Sequence, residues 1–356
     1  MKCRRIGEKK TLCKYGKVDI AKTHVYSSAI RGYQISPYMQ EKMIYAAQMN
    51  CYQESQEVLE KMMGIKVSST QIHRVANTYG SLIEHQKLED HLTEQPKTVP
   101  PLKQEEAVYV QADGSMILTR EEGWKEVKVG RIFKSSDCLS VGSSTGERGW
   151  IKASQYEAYL GDHREFVRRF ENQLTCYQGL AERMVFISDG ATWIRNWITD
   201  SYPHATQILD WYHCKEHLCS FAECYFEKEE ERKKWIDHQS DLLYQSKTGK
   251  VISNLERLKP KNKTKKNAKQ NLINYYLTNG QRMDYKKYRS MGAGIIGSGA
   301  IEAAHRTIIQ KRMKLSGQRW SKTGSQNMLQ LRVTNLSGRW KNIVSLIRQP
   351  IIHAAA

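Results

Sequence analysis

The alternation of apolar and polar positions divides the chain into a helical first part and a strand-containing second part. Apolar residues recur at helical spacing through SPYMQEKMIYAAQMN and again through YQESQEVLEKMMG, where Val58, Leu59, Met62 and Met63 share a face and Gly64 supplies a stop. A third helix is expected from Ser68, which forms a capping box with Gln71 three residues on. Ile72, Val75 and Ala76 make its apolar side, while Thr70, His73, Arg74 and Asn77 make a polar one. Two helices joined by the short GIKVS turn, the second presenting amide, hydroxyl and guanidinium groups, match what a helix-turn-helix reader of the DNA major groove requires.

After a polar, Pro-containing stretch the period changes from helical to alternating. Ala107 to Leu118 and Trp124 to Phe133 read as two half-buried strands around the turn-prone EEG. A helix is expected from Gln155 to about Tyr177, with Tyr159, Phe166, Phe170 and Leu174 as its buried stripe. MVFI then reads as a fully buried strand ending in SDG, and TQIL, after the helix ATWIRNWI, as a further short strand ending at Asp210. Residues 218 to about 285 are helical in pattern and rich in Glu, Lys and Arg. The Gly-rich MGAGIIGSG leads into a last helix that carries Glu302 and then into a basic tail. The expected organisation is a basic arm (1–36), a helix-turn-helix domain (37–87), a linker (88–106), an α/β core (107–217), a helical insertion (218–290) and a closing segment (291–356).

Charge narrows the partner. The 356 residues carry a formal net charge of +19, which points to nucleic acid. No run approaches the roughly 18 apolar residues of a spanning helix, and no basic amphipathic segment has the bulky apolar face of an interfacial one, so no membrane partner is expected. MKCRRIGEKK is followed by no apolar region, so export is not expected. The eight scattered cysteines then read as reduced thiols.

Within this basic chain, three carboxylates are candidates for chemistry. From Tyr285 to Ala356 there are 13 Lys and Arg residues and one acid, Glu302. An acid at the start of a helix weakens polyanion binding unless it holds a cation that the polyanion also needs; otherwise it pairs with Arg306 at i,i+4. Asp113, in the first strand, and Asp189, at the end of MVFIS, are each followed by Gly. Acids on neighbouring strands and a facing helix can converge on two Mg²⁺ ions about 4 Å apart, with Mn²⁺ the alternative ion. A zinc site built on Cys214, His217, Cys219 and Cys224 has no familiar four-ligand spacing. Glu302, Arg306, Gln310 and Lys314 recur every fourth residue and would line one side of a helix. Lys311, Arg312, Arg319 and Trp320 add donors and a stacking ring, and Lys263, Lys265 and Lys266 lie in a basic run that reads as a solvated loop or a phosphate-facing edge.

QADGS, FISDGATWI, LDWYHCKEHL and GSGAIEAAHRTIIQKRMK followed by SGQRWSKTGSQNML resemble blocks of DDE transposases of bacterial insertion sequences, most closely the ISKra-type group related to Mutator-like transposases. The resemblance covers about residues 105 to 335. It implies an RNase H-like mixed-sheet core with a large helical insertion, preceded by the helix-turn-helix domain. Asp113, Asp189 and Glu302 match the catalytic, metal-holding triad, and Asp210 and His213 match the family's Asp-x-x-His block, expected to support the active site. The implied activity is Mg²⁺-dependent cleavage and strand transfer at element ends. The implied partners are double-stranded element and target DNA and at least one further copy of the chain, in the bacterial cytoplasm on the nucleoid. Two alternatives stay open, a catalytically silent DNA-binding protein and a structure-selective RNase H-like nuclease.

Overall fold

In the computed structural model, residues 10–13, 16–19, 35–92, 106–143 and 146–349 are described. The elements in chain order are β1 (Lys10–Cys13), β2 (Gly16–Asp19), α1 (Pro37–Met49), α2 (Tyr52–Met63), α3 (Ser69–Leu92), β3 (Val108–Thr119), β4 (Gly123–Lys134), β5 (Cys138–Ser143), β6 (Gly146–Ile151) and β7 (Gln155–Leu160). They continue as α4 (His163–Leu174), β8 (Met184–Ser188), α5 (Thr192–Ser201), β9 (Thr206–Leu209), α6 (Trp211–Tyr225), α7 (Glu229–Tyr244), α8 (Thr248–Arg257), α9 (Lys263–Asn279) and α10 (Tyr285–Tyr288). The last are α11 (Gly299–His305), α12 (Lys311–Met313), α13 (Lys322–Leu336) and α14 (Trp340–Arg348). A single π-type turn, Arg306–Gln310, joins α11 to α12. The β1–β2 hairpin falls within the expected basic arm; the rest of that arm before residue 35 and most of the Pro-containing linker lie outside the described residues. Among the described residues no helix is long and apolar enough to cross a membrane.

The chain divides into two compact units. The first comprises residues 1–93, 117–125 and 307–356. Ser36 caps α1 and Pro37 opens it, where a missing N–H costs nothing. Gly64 ends α2 in the left-handed region (φ 66°), and the expected capping box forms, with Gln71 N donating to Ser68 Oγ (3.2 Å) and Ser68 N to Gln71 Oε1 (3.4 Å). Met43, Ile44, Ile72, Val75, Tyr79, Leu331 and Ile343 form its core. The described residues from 307 to 349, expected as part of a closing tail, therefore fold with the N-terminal helices and include α13 and α14. α3 meets α13 at Gly80, where a Cβ would stand 2.5 Å from the Asn327 carbonyl oxygen. Only glycine permits that approach.

The second unit comprises residues 94–116 and 126–306. It is built on a five-stranded mixed sheet in the order β7-β4-β3-β8-β9. β4 pairs antiparallel with β7, β3 pairs parallel with β8, and β8 pairs parallel with β9. β3 and β4 are joined by a three-residue turn, which only an antiparallel pair allows. Alternation along the strands divides the core. Val108, Val110, Met184 and Phe186 face the cluster of Phe166, Phe170, Ile194 and Trp197 from α4 and α5. Tyr109, Val185, Ile187 and Ile208 face the cluster of Cys214, Leu218, Val251, Leu272 and Tyr276 from α6, α8 and α9. The expected helical insertion thus shares one apolar cluster with the sheet.

One expected element is corrected. Residues 155–160 form an edge strand rather than the start of a helix, paired from Gln155↔Ile132 to Leu160↔Val127, and α4 begins only after Gly161 and its cap Asp162. Glu157 is buried there, accepting from Gln173 Nε2 at 2.7 Å, so the strand carries a polar residue inward and its sequence lacks clean alternation.

Candidate active site

Strand register sets three carboxylates at one level. β3 and β8 are paired through Gln111↔Ile187, so two further steps bring Asp113 level with Asp189. β8 and β9 are paired through Ser188↔Leu209, so one further step brings Asp189 level with Asp210. Neighbouring strands run about 4.8 Å apart, and the row lies at the carboxyl ends of β8 and β9, where open α/β sheets place ligand chemistry. Asp189 Oδ1 accepts from Ala191 N (2.9 Å) across a turn that Gly190 makes at φ 94°. Gly114 acts differently: its φ is ordinary, and its bare Cα leaves space for the Glu126 carboxylate.

Asp210 is buried and fully committed to backbone. It caps α6, accepting from Tyr212 N (3.1 Å) and His213 N (3.4 Å), and it also accepts from Ser298 N (3.0 Å). Three more bonds fasten the glycine-rich segment to the sheet end. Trp211 N donates to Ile296 O (3.0 Å), Gln111 Nε2 to Gly297 O (3.1 Å) and Arg131 Nη1 to Ala300 O (2.6 Å). Gly297 lies so close to the Tyr212 ring that a Cβ would fall 2.6 Å from it. The sheet thereby fixes the first turn of α11, which carries Glu302.

Glu302 is exposed, and its Oε1 accepts from Ser298 Oγ at 2.8 Å rather than pairing with Arg306. The structure aligns Asp113 with Asp189 and anchors the Glu302 helix to the same sheet end. Among the described residues, however, no three His, Cys, Asp or Glu side chains lie close enough together to hold a metal.

His305 was missed in the sequence. It lies one helical turn beyond Glu302, is 6% exposed, and places Nε2 3.2 Å from Asp113 Oδ2. Neither ring nitrogen makes a hydrogen bond. The signal was the Glu-x-x-His spacing of residues 302 to 305, which puts both side chains on one side of a helix. His213, expected to hydrogen-bond the carboxylates, reaches Asp210 through its backbone N–H alone, and its ring Nδ1 lies 3.8 Å from Glu216. The zinc alternative finds no cluster either. Cys214 is buried with its thiol pushed up to about 12 by burial, and His217 stacks on Tyr275 at 4.0 Å.

A model of the uncharacterised protein family UPF0236 matches residues 29–349. The chain belongs to UPF0236. No curated protein matches it. Membership of UPF0236 establishes common descent over both units and leaves the chemistry to be read from the residues.

The candidate DNA contacts of this UPF0236 chain fall into three groups. Thr70, His73 and Arg74 are exposed on α3, while Asn77 is half-buried and bonds its amide to His73 Nε2 (2.7 Å). Burial first, then the nearby Arg120 and Arg312, hold the His73 pKa below its usual value. Arg306, Lys311, Lys314 and Arg319 are exposed, as are Lys263 and Lys266. Lys265 is not a free donor, since it pairs with Glu227 (3.1 Å) and lies over the Tyr225 ring.

Arg312 and Trp320 are corrected as surface contacts because both are buried. Arg312 Nε donates to Ala47 O (2.7 Å) with its guanidinium between the rings of Tyr52 and Trp320, and Trp320 Nε1 donates to Met313 O (3.1 Å). The expected straight track from Glu302 to Lys314 is also broken, because the π-type turn changes the angular step.

Proposed function

We propose that this protein is a DDE transposase with an RNase H-like core, acting on the ends of a bacterial insertion sequence. The observation that carries the reading is the level placement of Asp113 and Asp189 on adjacent parallel strands, with the Glu302 helix fastened to the same sheet end by Gln111, Arg131 and Asp210. The strand order, three antiparallel strands followed by two parallel ones, supports an RNase H-like core.

By donor type the three carboxylates suit a divalent metal: two set by strand register and the third on an anchored helix, they offer hard oxygens. Asp113, Asp189 and Glu302 would hold Mg²⁺ or Mn²⁺, which when bound supplies Lewis acidity for in-line displacement at a phosphodiester. The protein's own part is placement. Gln111, Arg131 and Asp210 fix the turn bearing Glu302, and the left-handed Gly190 turns the chain away immediately after Asp189. Exposed Arg74, Arg306, Lys311 and Arg319 would neutralise phosphates of duplex DNA. Pairing two element ends calls for at least two copies, working in the cytoplasm on nucleoid DNA.

The test is single-turnover cleavage and joining of labelled element ends, with binding followed in parallel in EDTA. Glu302→Gln, Asp113→Asn and Asp189→Asn should each abolish both reactions, without additivity, while metal-free binding holds or rises as a negative charge leaves a basic surface. Near-normal cleavage by the Glu302→Gln protein refutes the proposal. Cleavage without joining would identify a nuclease instead.

A further inference from the structure

We propose that His305 is a metal ligand beside Asp113, so that this site prefers a first-row transition ion such as Mn²⁺ over Mg²⁺. The inference deepens the reading of Asp113 and Glu302 as metal-holding groups and rests on it.

The argument begins with an imidazole whose state is otherwise costly. His305 is 6% exposed and neither ring nitrogen makes a hydrogen bond, whereas buried polar groups almost always find partners. Nε2 stands at ion-pair distance, 3.2 Å, from Asp113 Oδ2, but the contact does not make a hydrogen bond. That separation suits two ligands of one ion. Donors about 2.1 Å from an octahedral cation and at right angles to each other stand about 3.0 Å apart.

The helix supplies a third donor. Glu302 and His305 are related by i,i+3, the Glu-x-x-His spacing that helix-borne carboxylate metal sites use. Glu302 is exposed and its carboxylate is bonded to the Ser298 hydroxyl, a partner that it would exchange for the ion. Arg131, which donates to Ala300 O, fixes the helix turn on which both stand. The donor chemistry then sets the preference. Mg²⁺ takes oxygen and keeps its water, whereas an imidazole nitrogen favours first-row transition ions.

The experiment uses the untagged full-length protein and Mn²⁺ as probe. Electron spin-echo modulation of bound Mn²⁺ reports a directly coordinated ¹⁴N, and calorimetry gives the affinities for Mn²⁺ and Mg²⁺. The wild-type protein should show ¹⁴N modulation and bind Mn²⁺ the more tightly. His305→Asn should lose the modulation and at least about 10- to 100-fold in Mn²⁺ affinity, the size seen even for outer-sphere partners. His305→Asp, which replaces nitrogen by oxygen, should keep a metal, show no ¹⁴N coupling and lose the preference for Mn²⁺. His213→Asn should leave the modulation intact.

Absence of ¹⁴N modulation in the wild type at saturating Mn²⁺, or its persistence in His305→Asn, overturns the assignment. The wild-type spectrum decides even if a variant fails to fold. These readouts are independent of DNA. A ¹⁴N-coordinated ion in a protein that never cleaves element ends would refute the transposase reading alone, and cleavage by a protein without ¹⁴N coordination would refute this inference alone.

Discussion

Replacing Asp210 by Ala separates a structural carboxylate from the proposed chemical ones. Asp210 is 1% exposed and accepts from three backbone N–H groups, two in the first turn of α6 and one at Ser298. Loss of a helix cap costs about 1 kcal/mol. Leaving the half-buried Ser298 N–H without its acceptor costs about 1–3 kcal/mol in its own segment. The cap loss acts on α6, so the glycine-rich segment before α11 should be destabilised by about 1–3 kcal/mol, which at about 1.4 kcal/mol per decade is roughly a 5- to 140-fold faster opening. Hydrogen exchange resolved by peptide over residues 292–305 measures this directly. Asp189→Asn, whose carboxylate accepts from Ala191 N, should leave exchange in that segment unchanged. Unaltered exchange in Asp210→Ala would show that Ser298 N finds another acceptor, and it would remove the anchoring argument for Glu302.

Three further outcomes follow from packing and charge. Gly80→Ala places a methyl 2.5 Å from the Asn327 carbonyl oxygen and should cost about 1–3 kcal/mol, seen as a lowered melting temperature of the first unit; an unchanged melt would refute the close α3–α13 crossing. Arg312→Ala should lower stability because it removes a buried guanidinium, whereas Arg319→Ala should leave the melt unchanged and reduce the salt slope of DNA binding by about one; the reverse pattern would restore Arg312 as a DNA contact. For the buried Cys214 thiol, raised from 9.0 to about 12, the folded state keeps its proton after the unfolded state has lost it, so stability should fall as pH rises above 9.0 toward 12. Cys214→Ala should flatten that dependence in urea titrations; an unflattened curve would place the titration elsewhere.

Elements whose buried positions are apolar were legible in the sequence, and those that bury polar residues were missed. Val108, Val110 and Ala112 alternate with residues of the opposite face, and MVFIS is buried on both, so β3 and β8 declared themselves. The 155–160 strand did not, because Glu157 is buried and its partner strand is over 20 residues away, where no local pattern can report it. The C-terminal segment failed for a related reason. α13 is buried nearly all round and includes Gln330 and Arg332, leaving no amphipathic stripe. Arg332 donates from Nε to Ile308 O (2.6 Å) and from its two terminal nitrogens to Gln48 O and Thr307 O. Burial and the neighbouring Arg312 lower its pKa to about 10, an environment that composition scored as basic surface could not reveal. Two of those carbonyls belong to the π-type turn at Arg306–Gln310 and the third to the last turn of α1, and a guanidinium is the natural group to satisfy several at once.

The three level carboxylates show what sequence cannot supply even where it finds the right residues. Asp189 and Asp210 directly follow strands, Asp113 lies inside β3 at the same level, and the three would be equivalent by register alone. Their partners make them different. Asp210 is buried and gives both oxygens to backbone N–H groups, which makes it a structural acceptor. Asp189 gives one oxygen to the turn at Ala191. Asp113 gives Oδ1 to its neighbour Gly114 N (2.7 Å) and turns Oδ2 toward an imidazole that forms no hydrogen bond with it. A carboxylate with one oxygen held by backbone and the other free of hydrogen bonds is oriented but chemically available. On that criterion the row resolves into one structural acid and two candidate ligands. The assignment of the fourth group, Glu302, depends on whether its side chain exchanges the Ser298 hydroxyl for a cation.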